Sequence, residues 1–259
     1  MKTKTVVFIH GMFMTPTCWS GWVQRFRERG LRALAPAWPL HDAPPQALRD
    51  KHPDPALGKL TLDEVVAEMV RTVEALDEKP ILIGHSMGGL VVQLLLQKQL
   101  GVAGVAIDSA PPKGVISFKW SFIKSNWPVV SPFANKDQPY LLTPSDFRYA
   151  FAHTLPPDEL KATYDREVVP ESRRVGNGPT TAVAKIDFTA ARPPLLFVAG
   201  ELDRIIPASL NASNHKKYAA SAGITEIRQF PGRTHYTLGQ EGWESIADFV
   251  LDWTAQYVG

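Results

Sequence analysis

Several features are scarce in this 259-residue sequence. Cys18 is the single cysteine, so the chain cannot form an internal disulfide. No apolar run is long enough to span a bilayer as a helix. The formal net charge is only +2 and no run of lysine or arginine stands out, which argues against a nucleic-acid partner. Repeats, low-complexity tracts and clusters with metal-ligand spacing are also missing, so we expect neither a metal nor a cofactor.

The composition that is present fits one large domain, or one domain with an insertion. Apolar residues make up 44% of the chain, which is enough for a packed core. A strand pattern begins within the first six residues and leaves no room for a signal peptide, so we expect a cytoplasmic protein. The oligomeric state is left open, and a homodimer is one possibility.

A pentapeptide near position 86 organises the rest of the chain. Gly84-His85-Ser86-Met87-Gly88 follows a short apolar run and precedes an apolar run with glutamines, which predicts a strand, a tight turn and a buried helix. This is the setting of a G-x-S-x-G nucleophile elbow. Ser86 at the tip of such a turn stores about 1–3 kcal/mol of backbone strain. A Cβ at Gly84 or Gly88 would clash with the turning backbone, so both positions need glycine.

A second motif follows the first predicted strand, residues 6–9. His10-Gly11 leads there into an apolar loop that contains Met12, Phe13 and Met14. Acyl transfer needs two backbone N–H donors for the oxyanion, one from the residue after the nucleophile and one from this loop. We therefore expect Met87 to supply the first, and Met12, or less favourably Phe13, to supply the second. We interpret His10 as a buried imidazole that braces the loop, with a direct chemical role as the alternative.

Apolar strands alternate with helical patterns along most of the chain. This alternation predicts an α/β fold with a doubly wound, mostly parallel sheet of about six strands. We read residues 36–60 as an irregular loop and Thr61 with Glu64 as a capping box that starts a helix. The predicted strands are residues 6–9, 31–35, 81–83, 102–108, 194–199 and 226–230.

The alternation stops between residues 113 and 190. This stretch is rich in aromatic residues, and short helices are predicted at 144–154 and 157–168. We expect residues 1–112 and 191–259 to form the core, and residues 113–190 to form a helical cap over the carboxyl edge of the sheet, where ligands bind. Most aromatic residues of the cap should form its own core. The side chains expected to line a substrate pocket are Phe13, Met14, Trp120, Trp127, Phe147 and Phe151.

A serine nucleophile needs a base, and the base needs a carboxylate that fixes its tautomer. Ser86, Asp203 and His235 occur in the chain order nucleophile, acid, base, and each comes just after a predicted strand. Asp108, which ends the strand after the elbow helix, is the alternative acid. We interpret three further groups as structural, namely His85, His153 and Glu201, although His153 could face the pocket.

These motifs resemble those of the α/β-hydrolase-fold superfamily, in particular the serine esterase and lipase-like branch with a helical cap. They are His10-Gly11, Gly84 to Gly89, Gly200-Glu201-Leu202-Asp203 and Gly232-Arg233-Thr234-His235. The resemblance implies a triad of Ser86, His235 and Asp203, with oxyanion donors at Met12 and Met87. It also implies that the first two antiparallel strands of the full family sheet are missing.

The predicted activity is hydrolysis of a carboxylic ester with a small to medium apolar substrate. A lactone, a thioester, a carbon–carbon bond or a perhydrolase reaction would use the same groups. Dehalogenases and epoxide hydrolases of the superfamily have a carboxylate at the elbow, and Ser86 argues against both. A non-catalytic ligand receptor on the same fold is the alternative of a different class, and the presence of all three triad candidates disfavours it.

Overall fold

The computed structural model describes residues 2–259, and within them six parallel strands form one sheet. The spatial order is β2-β1-β3-β4-β5-β6. All five neighbouring pairs run parallel, so the predicted doubly wound sheet is confirmed. The strands are β1 (Thr5–Ile9), β2 (Arg32–Leu34), β3 (Ile81–His85), β4 (Ala103–Ile107), β5 (Leu195–Gly200) and β6 (Thr225–Phe230).

Helices cover both faces of this sheet, and short 3-10 turns precede or extend some of them. The α-helices are α1 (Ser20–Glu28), α2 (Pro45–Asp50), α3 (Pro55–Lys59), α4 (Leu62–Glu74), α5 (Met87–Gln97), α6 (Trp120–Val130), α7 (Pro144–Ala150), α8 (Pro157–Glu167), α9 (Arg173–Asn177), α10 (Ala208–Lys217) and α11 (Trp243–Thr254). In residues 2–259, none of these helices combines the length and the apolar character that a membrane crossing requires.

The strands bury side chains on both faces, as parallel strands between two helical layers do. In β1, Val6 and Phe8 pack on the side of α1 and α11, whereas Val7 and Ile9 pack on the side of α4 and α5. Successive side chains of a strand point to opposite faces, so one apolar run supplies two cores. Because the strands are parallel, the carboxyl ends of β1, β3, β4 and β5 meet at one edge of the sheet.

Residues 36–60 are more regular than the sequence indicated. The prediction of an irregular loop is wrong for α2 and α3, which both begin with a proline in their first turn. Proline fixes φ near the helical value and its missing N–H costs nothing at that position. Asp54 also caps α3, since its carboxylate accepts a hydrogen bond from the Ala56 amide. The capping box of Thr61 and Glu64 at the start of α4 is present as predicted.

Residues 113–190, which we call the inserted segment, join β4 to β5 without a strand of the sheet. The two predicted helices are found at α7 and α8, and the structure adds α6 and α9. Helix α6 was missed because it contains Pro128 and carries apolar residues on more than one side, so it lacks a clear amphipathic period. The division of the chain into a core and a cap remains a prediction.

Candidate active site

The turn between β3 and α5 holds Ser86 in a strained conformation. Its φ of 55° and ψ of −119° lie outside the helical and extended regions that most residues adopt. The Ser86 amide donates to the Ile107 carbonyl at 2.9 Å, which ties the turn to β4. A Cβ on Gly84 would come within 2.2 Å of the Gly88 carbonyl oxygen, and one on Gly88 within 2.2 Å of the Ile9 oxygen. Two glycines are therefore needed to fold the backbone this tightly.

Ser86 is joined by hydrogen bonds to the other two residues that the chain order selected. Its Oγ lies 3.0 Å from Nε2 of His235, and Nδ1 of His235 lies 2.6 Å from Oδ2 of Asp203. A carboxylate only accepts, so Nδ1 carries the proton and Nε2 is left to accept the serine hydroxyl. The three side chains come from the loops after β3, β5 and β6, which the parallel sheet brings to one edge.

The carboxylate of Asp203 is itself held in place. Its Oδ1 accepts hydrogen bonds from the backbone amides of Ile205 at 2.7 Å and Ile206 at 2.8 Å. The loop that follows β5 therefore aims Oδ2 at the imidazole. Burial lowers the pKa of His235, but the charge and hydrogen bond of Asp203 and the charge of Asp108 outweigh it, so the net pKa is raised.

Asp108, the alternative acid, has different partners. Its Oδ1 accepts the Gly200 amide and its Oδ2 accepts the Thr237 hydroxyl, both at 2.6 Å. Burial and the nearby Asp203 charge raise the pKa of Asp108 to about 7. Asp108 thus joins the end of β5 to the loop that carries His235, and the structure brings Asp203, not Asp108, to the imidazole nitrogen.

The two expected oxyanion donors lie beside the serine. Met87 is the first residue of α5, and the loop of Met12 approaches so closely that a Cβ on Gly11 would stand 2.8 Å from Ser86 Cβ. Within residues 2–259, the amides of Met12, Met87 and Phe13 donate to no protein acceptor. Free amides at a helix N-terminus suit a negative oxygen. The choice of Met12 over Phe13 remains a prediction.

His10 is a fully buried brace, as the sequence analysis favoured. Its Nε2 accepts the Trp38 amide at 3.2 Å, so Nδ1 carries the proton and donates to the Gly11 carbonyl at 2.8 Å. The ring stacks on Trp38 with a centroid distance of 4.5 Å. Burial, together with the nearby His41, lowers the pKa of His10 to about 3. A neutral imidazole therefore fixes the loop of Met12.

Within residues 2–259, the remaining groups interpreted as structural make no hydrogen bond to the Ser86 hydroxyl. His85 lies 2.9 Å through Nε2 from the His235 carbonyl, and burial and the neighbouring His235 hold its pKa well below the usual value. Glu201 accepts the Gly232 amide at 2.9 Å and so closes the loop before His235. His153 is half-buried and is not among the cavity-lining residues.

A cavity of about 400 Å³ lies above Ser86, between the sheet edge and the inserted segment. Of the predicted pocket residues, Phe13 and Phe151 line it, as do Met12 and Met87. The structure places the other four predicted pocket residues outside the lining. Most of the wall is apolar, and the residues that the sequence analysis missed include Pro111, Pro112, Val115, Phe122, Val129, Leu142, Ile205 and Ile206.

The four misplaced residues have two physical explanations. Met14 and Phe147 are almost fully buried in the packing between the inserted segment and the core. Trp120 and Trp127 lie on the outer side of α6 and are 72% and 49% exposed. The inner side of α6 carries Phe122, Ser125, Asn126 and Val129, and this spacing of three to four residues is the signal that could have found the cavity wall.

The site contains a polar pair in the cavity wall and a cluster of two histidines and one aspartate beside the serine. Ser125 and Asn126 are polar side chains in the mostly apolar cavity wall, and the Ser125 hydroxyl is buried without a hydrogen-bond partner in residues 2–259. His85, Asp108 and His235 place one ligand atom each within 4.8 Å of one another. The hydrogen bonds of Asp108 and His235 already occupy their ligand atoms, so this cluster does not fit a metal ion.

Comparisons with solved structures give the same fold over nearly the whole chain. A pyrethroid hydrolase from Sphingobium faniae JZ-2 matches with a TM-score of 0.70, 15% identity and 98% coverage of both chains. A monoacylglycerol lipase of Paleococcus ferrophilus matches with a TM-score of 0.68 and 17% identity, covering 99% of this chain and 96% of its own. An extracellular α/β-hydrolase from a Paenibacillus species matches with a TM-score of 0.69 and 21% identity, covering 96% and 98%.

Sequence comparison gives one partial match and one match over most of the chain. An isoleucine–tRNA ligase from Pseudoalteromonas translucida (strain TAC 125) is 25% identical over 189 residues, 68% of this chain. The chain spans only 19% of that relative's length. The model of the alpha/beta hydrolase family matches residues 6–249. With the elbow, the strand order and the hydrogen-bonded Ser86, His235 and Asp203 in place, the chain belongs to the alpha/beta hydrolase family.

Proposed function

We propose that this protein is a serine hydrolase that cleaves carboxylic esters through an acyl-enzyme. The observation that carries the proposal is the chain of two hydrogen bonds from Ser86 through His235 to Asp203 at the floor of an apolar cavity. A hydroxyl is a weak nucleophile unless a base takes its proton, and the neutral Nε2 of His235 is placed to do so. Three of the similar structures are described as esterases or lipases, which supports the same reaction class.

Acylation begins when Ser86 Oγ attacks the ester carbonyl carbon and its proton passes to His235 Nε2. The carbonyl oxygen becomes an oxyanion, and the free amides of Met12 and Met87 donate hydrogen bonds to it. His235 then gives its proton to the leaving alcohol oxygen as the carbon–oxygen bond breaks. In deacylation a water molecule gives its proton to His235 and attacks the acyl carbon, and Ser86 leaves with that proton.

The cavity suits an apolar substrate of small to medium size. Its volume of about 400 Å³ is at the lower end of the range typical of small-molecule sites, roughly 300–1,000 Å³. Phe13 and Phe151 stand in the wall near the triad, and Phe151 meets the His235 ring edge-on at a centroid distance of 5.0 Å. Acyl chains of moderate length or aryl groups would fill such a space. Lactones and thioesters place the same carbonyl carbon before Ser86.

The experiment is turnover of a p-nitrophenyl ester series, from acetate to long acyl chains, by wild type and Ser86→Ala. We expect wild-type turnover with a preference for short to medium chains, and a loss in Ser86→Ala of about 10⁴-fold or more. Ser213→Ala, an exposed serine on α10, is the matched control and should keep full activity. Equal turnover in Ser86→Ala and wild type would contradict the mechanism. A folded wild type without turnover on any chain length would favour a carbon–carbon bond hydrolase or a ligand receptor.

A further inference from the structure

The outer surface of the inserted segment carries aromatic residues that no part of residues 2–259 covers. Phe118 and Phe133 flank α6 and are 87% and 90% exposed, and Trp120 and Trp127 stand on the helix between them. Ile116, Ile123 and Val130 add exposed aliphatic carbon. We call residues 116–133 the apolar face. Contiguous exposed apolar surface of this kind marks an interaction site, whereas single exposed apolar residues do not.

Helix α6 is apolar on both sides because each side meets a different environment. Its inner residues, among them Phe122 and Val129, form part of the cavity wall. Its outer residues Trp120, Ile123 and Trp127 recur at helical spacing and point to solvent. The outer stripe thus serves neither the core nor the cavity, and its burial requires a partner outside the described chain.

The apolar face is continuous with the mouth of the cavity. The exposed residues of the cavity lining mark that mouth, and they are Lys113, Gly114, Ile116, Val130 and Thr180. Ile116 and Val130 belong to both surfaces. Whatever covers the apolar face therefore lies at the opening through which a ligand reaches Ser86.

The charged residues within the stretch that carries the apolar face are all positive. Residues 113–136 contain the lysines 113, 119, 124 and 136 and no aspartate or glutamate. Lys124 stands over the Tyr149 ring, 4.0 Å from its centroid, and Arg204 stacks on the same ring. Lys119 shares a surface groove with Glu201 and Asp203, the acidic residues that reduce the local positive potential. Asp137 comes directly after this run of lysines and pairs with Arg174.

We propose that the apolar face binds the surface of an anionic lipid membrane, with the cavity mouth turned toward the lipid. Tryptophan and phenylalanine next to lysine form the pattern that seats a helix in the interfacial region of a bilayer, and lysines near the surface add attraction to anionic head groups. A second copy of this chain fits less well. A two-fold contact would set this lysine-bearing surface against itself and would cover the mouth.

The consequence for the substrate rests on the proposed function. If Ser86 hydrolyses esters, a protein bound to the membrane by its apolar face can take acyl substrates directly from the lipid. They would enter at the cavity mouth, beside Ile116 and Val130. Lipid binding does not depend on the hydrolysis. Ser86→Ala should therefore bind vesicles as well as wild type, which separates a failure of this inference from a failure of the proposed function.

The test is co-sedimentation with large vesicles of pure phosphatidylcholine or of phosphatidylcholine with one third phosphatidylglycerol. Wild type and Ser86→Ala should bind the anionic vesicles and leave the neutral ones largely free. Phe118→Ser/Phe133→Ser should weaken this binding by about tenfold or more, because two aromatic side chains that insert into the lipid are lost. Both residues lie outside the cavity lining, so turnover of a water-soluble p-nitrophenyl ester should not change. Leu40→Ser/Ile224→Ser removes two exposed aliphatic residues elsewhere and is the matched control.

Charge is tested separately with Lys119→Gln/Lys136→Gln. This variant should reduce the preference for anionic over neutral vesicles, and added salt should do the same to wild type. The inference is overturned if wild type sediments with neither vesicle, or if Phe118→Ser/Phe133→Ser binds as wild type does. It is also overturned if sedimentation velocity finds a dimer in wild type that Phe118→Ser/Phe133→Ser dissociates, since the occupant is then a second copy.

Discussion

Two regions of this molecule hold a buried histidine against a carboxylate, and they differ in the group that the second imidazole nitrogen contacts. At the edge of the sheet His235 meets Asp203, 2.6 Å apart. Between the loop after β2 and the inserted segment, Nε2 of His41 lies 3.1 Å from Oε2 of Glu171. All four side chains are almost completely buried. In both pairs burial is the largest single effect and lowers the pKa of the imidazole, but the charge and the hydrogen bond of the carboxylate, with smaller contributions from other neighbours, together raise the net pKa.

The difference between the two pairs lies in what meets the other side of the imidazole. His235 presents its second nitrogen to the hydroxyl of Ser86. His41 places its second nitrogen, Nδ1, 3.0 Å from the backbone carbonyl of Pro39, which holds no proton to transfer. The same pair of residue types is therefore placed beside a hydroxyl that could give up a proton in one location, and beside a backbone carbonyl that has none in the other. Chemistry depends on the third group, not on the pair.

The His41–Glu171 pair belongs to a junction that fixes the inserted segment on the core. Within the inserted segment, the Glu171 backbone pairs with that of Tyr140 in both directions at 2.8 Å, which holds Glu171 in place. Ser172 donates its hydroxyl to the Leu60 carbonyl at 2.6 Å, and Arg49 donates to the carbonyls of Asp165 and Val168 at 2.7 Å. The contacts of His41, Ser172 and Arg49 hold the inserted segment on the core, and they do not involve the apolar face.

The largest effect expected within this comparison is the loss of the carboxylate that orients His235. Asp203→Asn should reduce kcat/KM by about 10⁴-fold, because an amide can present the wrong hydrogen-bonding group to Nδ1 and cannot stabilise the imidazolium. Asp108→Asn should cost far less, since Asp108 contacts Gly200 and Thr237 and not the imidazole nitrogens. Steady-state kinetics on one ester measures both. A larger loss in Asp108→Asn would transfer the role of the acid to Asp108.

The second pair should affect stability more than chemistry. Glu171→Gln should lower the free energy of unfolding by about 2–3 kcal/mol, because it removes the charged partner of a buried pair. The loss is limited because His41 can release its proton and become neutral. Chemical denaturation near pH 6 measures this, and Glu159→Gln on the exposed side of α8 is the control. The ester turnover of Glu171→Gln should stay within a few fold of that of wild type. A variant as stable as wild type would show that the pair does not hold the junction.

The stability difference should also depend on pH with a definite sign. The folded-state pKa of His41 is raised, so its contribution is complete below the unfolded value of about 6.5 and is lost as the pH rises through the folded value. The difference in the free energy of unfolding between wild type and Glu171→Gln should therefore shrink as the pH rises above about 6.5. His235, whose pKa is raised, and the neighbouring His10, whose pKa is lowered, contribute with opposite signs, but both are present in wild type and in the variant and cancel in the difference. A gap that widens with pH would contradict this assignment.

The smallest effect expected is a shift in the pH–rate profile. The base form of His235 must be neutral, so kcat/KM should rise with pH through a midpoint above 6.5, where its raised pKa lies. In Asp203→Asn the raising charge is gone, and the midpoint of the residual activity should move to lower pH. An unchanged midpoint would mean that another group sets the profile.

Sequence reasoning predicted the scaffold and the three side chains at the sheet edge because short-range signals specify them. Buried β-branched runs mark the strands, and the spacing of Gly84, Ser86 and Gly88 marks the turn. His41 and Glu171 lie 130 positions apart with no motif around either, so only the folded chain brings them together. The cavity wall was predicted in part for a related reason. An apolar residue of α6 can face either the cavity or the outside, and composition does not separate Phe122 from Trp120.

The central claim is that Ser86 alone is activated by its histidine–carboxylate pair. The most direct measurement is labelling with a fluorophosphonate, in which a nucleophilic oxygen displaces fluoride from phosphorus and the adduct is located by peptide mass spectrometry. We expect one adduct per chain, on the peptide with Ser86, in wild type and in Glu171→Gln, and none in Ser86→Ala or His235→Ala on the same timescale. An unlabelled wild type, or an adduct that persists in Ser86→Ala, would contradict the claim.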